Sequence, residues 1–142
     1  MKPVFALKAL GTAVAVLALN LALTTGVIFL YAQFVRPGQT NAFYEAAAPR
    51  IAAWTAPPGG ALLLLWLMAW LGRRVPARNP FAFAIATWGA YVVLDVGSGL
   101  AMSPVKEVLT PMLALSVLIA LAGALAGAAL ARTPPLSREA LT

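Results

Sequence analysis

Cysteine and histidine are both missing from this 142-residue chain, and only four carboxylates stand against ten basic residues. Without cysteine there are no disulfides, thiolate metal sites or sulfur nucleophiles. Without histidine, bis-histidine haem, zinc–histidine centres and Ser-His-Asp catalysis are excluded. So few acids leave neither a nucleophile–base pair nor a metal-ligand set, so the sequence leans away from an enzyme, and no cofactor or metal is expected. Charge of either sign is scarce, at 10% of residues.

What replaces charge is apolar surface. Hydrophobic residues make up 62% of the chain, against roughly 45–50% in ordinary soluble domains. The charges cluster between long uncharged stretches, and runs of about 18 or more apolar residues are long enough to cross a bilayer. The net charge of +6 does not point to nucleic acid, because the basic residues flank apolar segments and form no aromatic-interleaved patch. The expected partner is the lipid bilayer.

Four crossings follow, at about 9–35, 55–73, 80–101 and 108–131 of a single membrane domain covering 1–142. The first lies in the 27 uncharged residues between Lys8 and Arg36, enough for about 40 Å of helix. Its start resembles a signal peptide, but the apolar run outlasts the roughly 7–15 residues of a signal h-region and no cleavage site follows, so it is read as a span. The second must fit between Arg50 and Arg73, with Pro57, Pro58, Gly59 and Gly60 interrupting its beginning. Either Thr55 caps it and the prolines fill its first turn, or the helix is broken in the outer leaflet and exposes backbone groups to a cavity. Asn79 and Pro80 supply a cap and first position for the third span. Pro111 either begins the membrane portion of the fourth or bends it.

Lys2, Lys8, Arg73, Arg74, Arg78, Arg132 and Arg138 fall on one side of this arrangement, and Arg36, Arg50 and Lys106 on the other. Basic residues gather on the cytoplasmic side, so both termini are expected there, with 132–142 as a short cytoplasmic tail. The bias also argues against a dual-topology exporter, which needs balanced flanks. The 31 alanines and the seven arginines to three lysines suit a GC-rich bacterial genome and hence a cell inner membrane. In the first outer loop Tyr44, Ala47, Ile51 and Trp54 recur at helical spacing, which predicts a short helix along the interface. The expected fold is an all-α integral membrane protein, a four-transmembrane-helix bundle carrying that interfacial helix.

Membrane helices associate through close packing and buried polar contacts. On the fourth span Ser116, Ala120, Gly123 and Gly127 follow one stripe containing a GxxxG match, a packing signal whose partner can be internal or another subunit. On the first span Thr12, Val16, Asn20 and Thr24 lie at successive i+4 positions, and Asn20 is near mid-bilayer, where an unpaired amide is costly. It serves either an interhelical hydrogen bond or a ligand. Trp66 and Trp70 are expected to anchor the second span at the interface.

Asp95 is the unusual charge. It sits about 25 Å along the third span from Arg78, inside the outer third of the apolar core, and shares a helical side with Trp88 and Tyr91. A carboxylate at such depth must be protonated, paired or wetted by a cavity. Three roles are open: a hydrated or Arg36-, Arg50- or Lys106-paired group at the interface; a buried acceptor locking the third span to the first; or a transport acid assisted by Tyr91, Ser98, Asn20 and Thr24. The ion- or substrate-binding candidates are therefore Asp95, Asn20, Thr24, Tyr91, Ser98 and Trp88. The functional expectation is an oligomeric proton- or cation-coupled transporter or channel unit, with a non-catalytic accessory or assembly subunit of a larger membrane complex as the alternative.

Overall fold

A computed structural model describes residues 3–74 and 79–132, the side chains of Pro3, Met102 and Glu107 excepted. Lys2, Arg78, Arg138 and the expected tail beyond residue 132 lie outside the described residues. All regular structure among the described residues is helical: α1 (Pro3–Leu30), extended by a π-helical turn at Tyr31–Val35; α2 (Asn41–Leu71); α3 (Pro80–Met102); a single turn α4 (Val105–Val108); and α5 (Pro111–Arg132). Four of these, Val4–Val35, Asn41–Leu71, Pro80–Ala101 and Pro111–Arg132, are long and apolar enough to cross a membrane.

The helix boundaries follow from local chemistry. Asn79 Oδ1 accepts the Phe81 N–H at 3.1 Å with Pro80 in the first turn of α3, where a missing N–H costs nothing. Pro111 likewise opens α5, and Thr110 Oγ1 accepts the Leu113 N–H at 3.3 Å. The fourth long helix therefore begins at Pro111, against a span expected from about 108, because Val105–Val108 forms a separate turn.

The second span differs more from expectation. It does not start near Thr55, whose hydroxyl donates back to the Ile51 carbonyl at 2.8 Å. Nor is it broken at Pro57–Gly60: α2 runs through Pro49, Pro57 and Pro58, with Thr40 as its cap. Residues 41–56 are helical, but as the first half of α2, and no separate short helix appears in the first loop. The connection from α1 is too short to hold one. Gly38, at φ +77°, turns the chain in the left-handed region that favours glycine. The Tyr44 hydroxyl, donating to the Arg36 carbonyl at 2.6 Å and accepting from the Gln39 N–H at 3.1 Å, clamps that turn against the start of α2.

The four long helices form a ring in the order α1–α2–α5–α3. The α2–α5 interface is the most extensive, while α2 and α3, though consecutive, barely touch. Small residues explain the close approach of α5. A Cβ on Gly123 would collide with the Ala61 carbonyl, and one on Gly127 with the Leu65 carbonyl and, at 2.7 Å, with Met68 Cβ. Ala120, Ala124 and Ala128 are buried on the same face. The GxxxG stripe is thus satisfied inside the bundle, by α2. Its first member, Ser116, is half-buried.

Fully buried Val16, Leu64, Phe83 and Thr87 fill the middle. Outward, leucine, valine, phenylalanine and tryptophan side chains stand exposed along every long helix, among them Leu7, Leu21, Leu62, Val93 and Leu118 at more than 60% exposure. Water-soluble monomers do not carry apolar surface on that scale; lipid does not penalise it.

Lys8, Arg73, Arg74 and Arg132 collect at one end of the ring, where Arg73 donates to the Leu130 carbonyl and Arg132 to Asn79 Oδ1, each at 3.3 Å. Trp66 and Trp70 stack there with centroids 6.3 Å apart.

Candidate functional site

The face of α1 that meets α2 and α3 carries Ala9, Ala13, Val16, Asn20 and Thr24, all buried. Thr12 turns aside and donates to the Lys8 carbonyl at 2.8 Å. Asn20 is 5% exposed and, about 26 Å along α1 from Pro3, donates through Nδ2 to the Ala56 carbonyl at 3.1 Å and the Tyr91 hydroxyl at 3.3 Å. One amide therefore ties α1 to both α2 and α3.

Glycine makes that junction possible. A Cβ on Gly59 would lie 2.6 Å from Asn20 Oδ1 and 2.9 Å from Leu23 Cδ2; one on Gly60 would lie 2.8 Å from the Tyr91 hydroxyl and 3.3 Å from Asn20 Nδ2. The glycines are there for close approach and leave α2 unbroken. The prolines before them have a different consequence. Lacking N–H groups, Pro57 and Pro58 cannot supply the usual i−4 bonds to the carbonyls of Ala53 and Trp54. The helix ladder is thus thinned beside the polar junction.

Beside it is a cleft of about 290 Å³ that draws on every part of the ring. Asn20 comes from α1; Ala53, Ala56 and Pro57 from α2; Tyr91 and Asp95 from α3; Thr110 and Ser116 from the start of α5 and the residue before it. Asp95 sits one turn beyond Tyr91, about 23 Å along α3 from Pro80. Among the described residues no Arg or Lys is paired with its carboxylate. The pairing with Arg36, Arg50 or Lys106 considered from the sequence is therefore not made. Three buried oxygens, Asn20 Oδ1, Thr24 Oγ1 and Thr87 Oγ1, have no hydrogen-bond partner among the described residues.

Of the six candidates read from the sequence, Asp95, Asn20 and Tyr91 meet at this cleft. Thr24 is buried one turn beyond Asn20, its hydroxyl without a partner among the described residues, and it is not part of the lining. Ser98 is exposed and its hydroxyl donates to the backbone carbonyl of Asp95 at 2.8 Å, a local helix bond that leaves the carboxylate untouched. Trp88 points to α5, where Nε1 donates to the Val117 carbonyl at 3.1 Å and pins α3 to α5. From the sequence Ser116 was read as a helix-packing residue and Pro57 as part of a helix start or of a break facing a cavity, while Thr110, Ala53 and Ala56 were not singled out. The Pro-Pro-Gly-Gly run was their signal, but read in one dimension it announces a helix start or break, not the helices packed against it.

Chemically the cleft offers one carboxylate and neutral oxygens from hydroxyls, an amide and backbone. That set can exchange a proton or hold a hard monovalent cation; it lacks the soft or imidazole ligands a transition metal prefers. No group of three or more acidic, histidine or cysteine side chains occurs among the described residues.

No protein family, curated protein or solved structure matches this chain.

The junction makes one prediction of its own. Gly60→Ala should destabilise the bundle by about 1–3 kcal/mol, the usual range for overpacking, because the new methyl meets the Tyr91 hydroxyl. Tyr91→Phe should cost about 1 kcal/mol for its lost hydrogen bond. The double variant should cost less than the sum, since the clashing oxygen is gone. Unfolding free energies in mixed micelles measure this cycle, and strict additivity would contradict the geometry.

Proposed function

We propose that the chain is a small multi-pass membrane protein that carries a proton or a monovalent cation across the membrane, alone or coupled to a solute, with Asp95 as its ionisable centre. What carries the reading is the position of Asp95: a half-buried carboxylate, unpaired with any cation among the described residues, in a cleft shared with Asn20 and Tyr91. Intramembrane acids of this kind are rare, costly and typically part of ion or proton pathways.

The rest of the bundle favours a carrier over an open pore. Between the Asp95 cleft and the cation-rich end, Val16, Leu64 and Thr87 are packed at zero exposure, so one copy has a closed middle. Passage would require the helices to shift or several copies to assemble, and we place the working unit as a homo-oligomer. The prolines of α2 are suited to such a shift, because the helix is already short of two backbone bonds at the cleft wall. The positive-inside bias orients both termini to the cytoplasm of an inner membrane in this proposal.

An accessory or assembly role in a larger membrane complex is the alternative. It would need a docking face other than the α5 stripe, which is packed against α2.

The deciding measurement is made on purified protein in liposomes under an imposed proton or sodium gradient, with internal pH followed by a trapped dye. Dissipation of the gradient faster than in protein-free liposomes is the expected result. Fluxes indistinguishable from empty liposomes for protons, sodium and potassium alike would overturn the proposal.

A further inference from the structure

At the end of the ring opposite the Asp95 cleft, α1, α2 and α3 enclose a groove of about 400 Å³. Its wall is almost wholly apolar: Gly11 and Ala15 from α1, Leu67 and Leu71 from α2, Phe83 from α3. Gly11 leaves it open, since a Cβ there would meet nothing within 4 Å. Two cations, Lys8 and Arg74, stand at its mouth.

Among the described residues neither cation has an acidic partner. The two described carboxylates, those of Glu45 and Asp95, lie toward the other end of the helices. Arg74 is held by stacking, its guanidinium carbon 4.3 Å from the centroid of Trp70. Stacking occupies the face of the guanidinium and leaves its in-plane N–H donors free for an oxyanion. An apolar slot with two cations at its mouth, neither paired with an acid among the described residues, matches a ligand that joins one negative head to a long hydrocarbon chain. We propose that this groove is a binding site for an anionic phospholipid, with the phosphate between Lys8 and Arg74 and an acyl chain along Gly11, Leu67 and Phe83. The site depends only on the bilayer placement of the helices and is independent of what Asp95 does.

The chemistry predicts selectivity by head-group charge. Each cation near an anionic lipid surface contributes about fivefold in affinity, so the pair should favour a net-negative head group by about 25-fold over a zwitterionic one.

The test is native mass spectrometry of the delipidated full chain offered equimolar phosphatidylglycerol and phosphatidylcholine. The expected result is one phosphatidylglycerol retained per chain in strong preference. Lys8→Gln and Arg74→Gln should each cut that preference about fivefold, while Lys106→Gln, at the opposite end, should leave it unchanged. Gly11→Phe, whose side chain enters open space, should expel the lipid with no loss of helical content by circular dichroism. Equal retention of both lipids, an equal effect of Lys106→Gln, or a Gly11→Phe variant that keeps its lipid would each overturn the proposal. So would displacement of the lipid by inorganic phosphate alone, which would mark a free-anion site in which the acyl chain has no part.

Discussion

Leucine at both Gly123 and Gly127 is expected to unmake the α2–α5 interface, the largest in the molecule. At each position the obstacle is a backbone carbonyl of α2, Ala61 or Leu65, which has no rotamer to give way. The helices must separate, and with them goes the packing that stands in for a hydrophobic driving force in lipid. Overpacking at one site typically costs about 1–3 kcal/mol, and two sites on one interface should bring the bundle close to dissociation. Separation would also forfeit the short Cα–H···O contacts that such glycine stripes make with a facing backbone. The measurement is the unfolding midpoint in detergent titrated with sodium dodecyl sulfate. Gly26→Leu is the control: nothing lies within 4 Å of its Cβ position, so the change should stay within about 0.5 kcal/mol. Equal loss in both variants would show that the α2–α5 contact is not what holds the ring together.

The second large effect is on Asp95. Asp95→Asn keeps the shape of the side chain and removes its ability to release a proton or balance a cation. Gradient dissipation should fall to the level of protein-free liposomes, and Asp95→Glu should restore part of it. Stability should move the other way. An acid at the centre of a membrane helix is disfavoured by about 2.5–3.5 kcal/mol on insertion scales, and Asp95, nearer the end of α3, carries some fraction of that. With no partner on its carboxylate among the described residues, the amide should leave the unfolding midpoint unchanged or raise it. The two readouts together separate the roles open to this residue. A structural acceptor would lose stability on substitution; a merely hydrated interfacial group would change neither quantity. Lost flux with retained or increased stability belongs to a transport acid alone.

Much of this molecule was legible in one dimension, and the unevenness is instructive. The helices α1 and α3 were readable because uncharged length and a capping Asn79–Pro80 pair are local properties. The inward face of α1 was readable because Asn20 and Thr24 fall on one helical stripe and lipid penalises an unsatisfied polar group. The second span misled because proline and glycine are punctuation in water-soluble proteins. In α2 the prolines sit inside a continuous helix and the glycines admit neighbouring side chains, and that purpose shows only when Asn20 and Tyr91 are seen against Gly59 and Gly60. Trp88 and Ser98 lie off the cleft for a related reason. Sharing a helical side with Asp95 does not fix where a side chain points, and each found a backbone carbonyl elsewhere, at Val117 and at Asp95 itself.

From its residues alone, then, the chain determined its helical content, four stretches long and apolar enough to cross a membrane, the gathering of charge between them and the one acid set inside the third. All four follow from composition and spacing, because hydrocarbon length and backbone satisfaction act on each segment separately. Which helices touch was settled only in three dimensions: that α5 spends its glycines on α2, that α2 and α3 lie across the ring from each other, and that Asp95 opens onto a cleft walled by proline-weakened helix. Those outcomes depend on shape matching between surfaces distant in sequence, and no single segment contains the other half of its own interface.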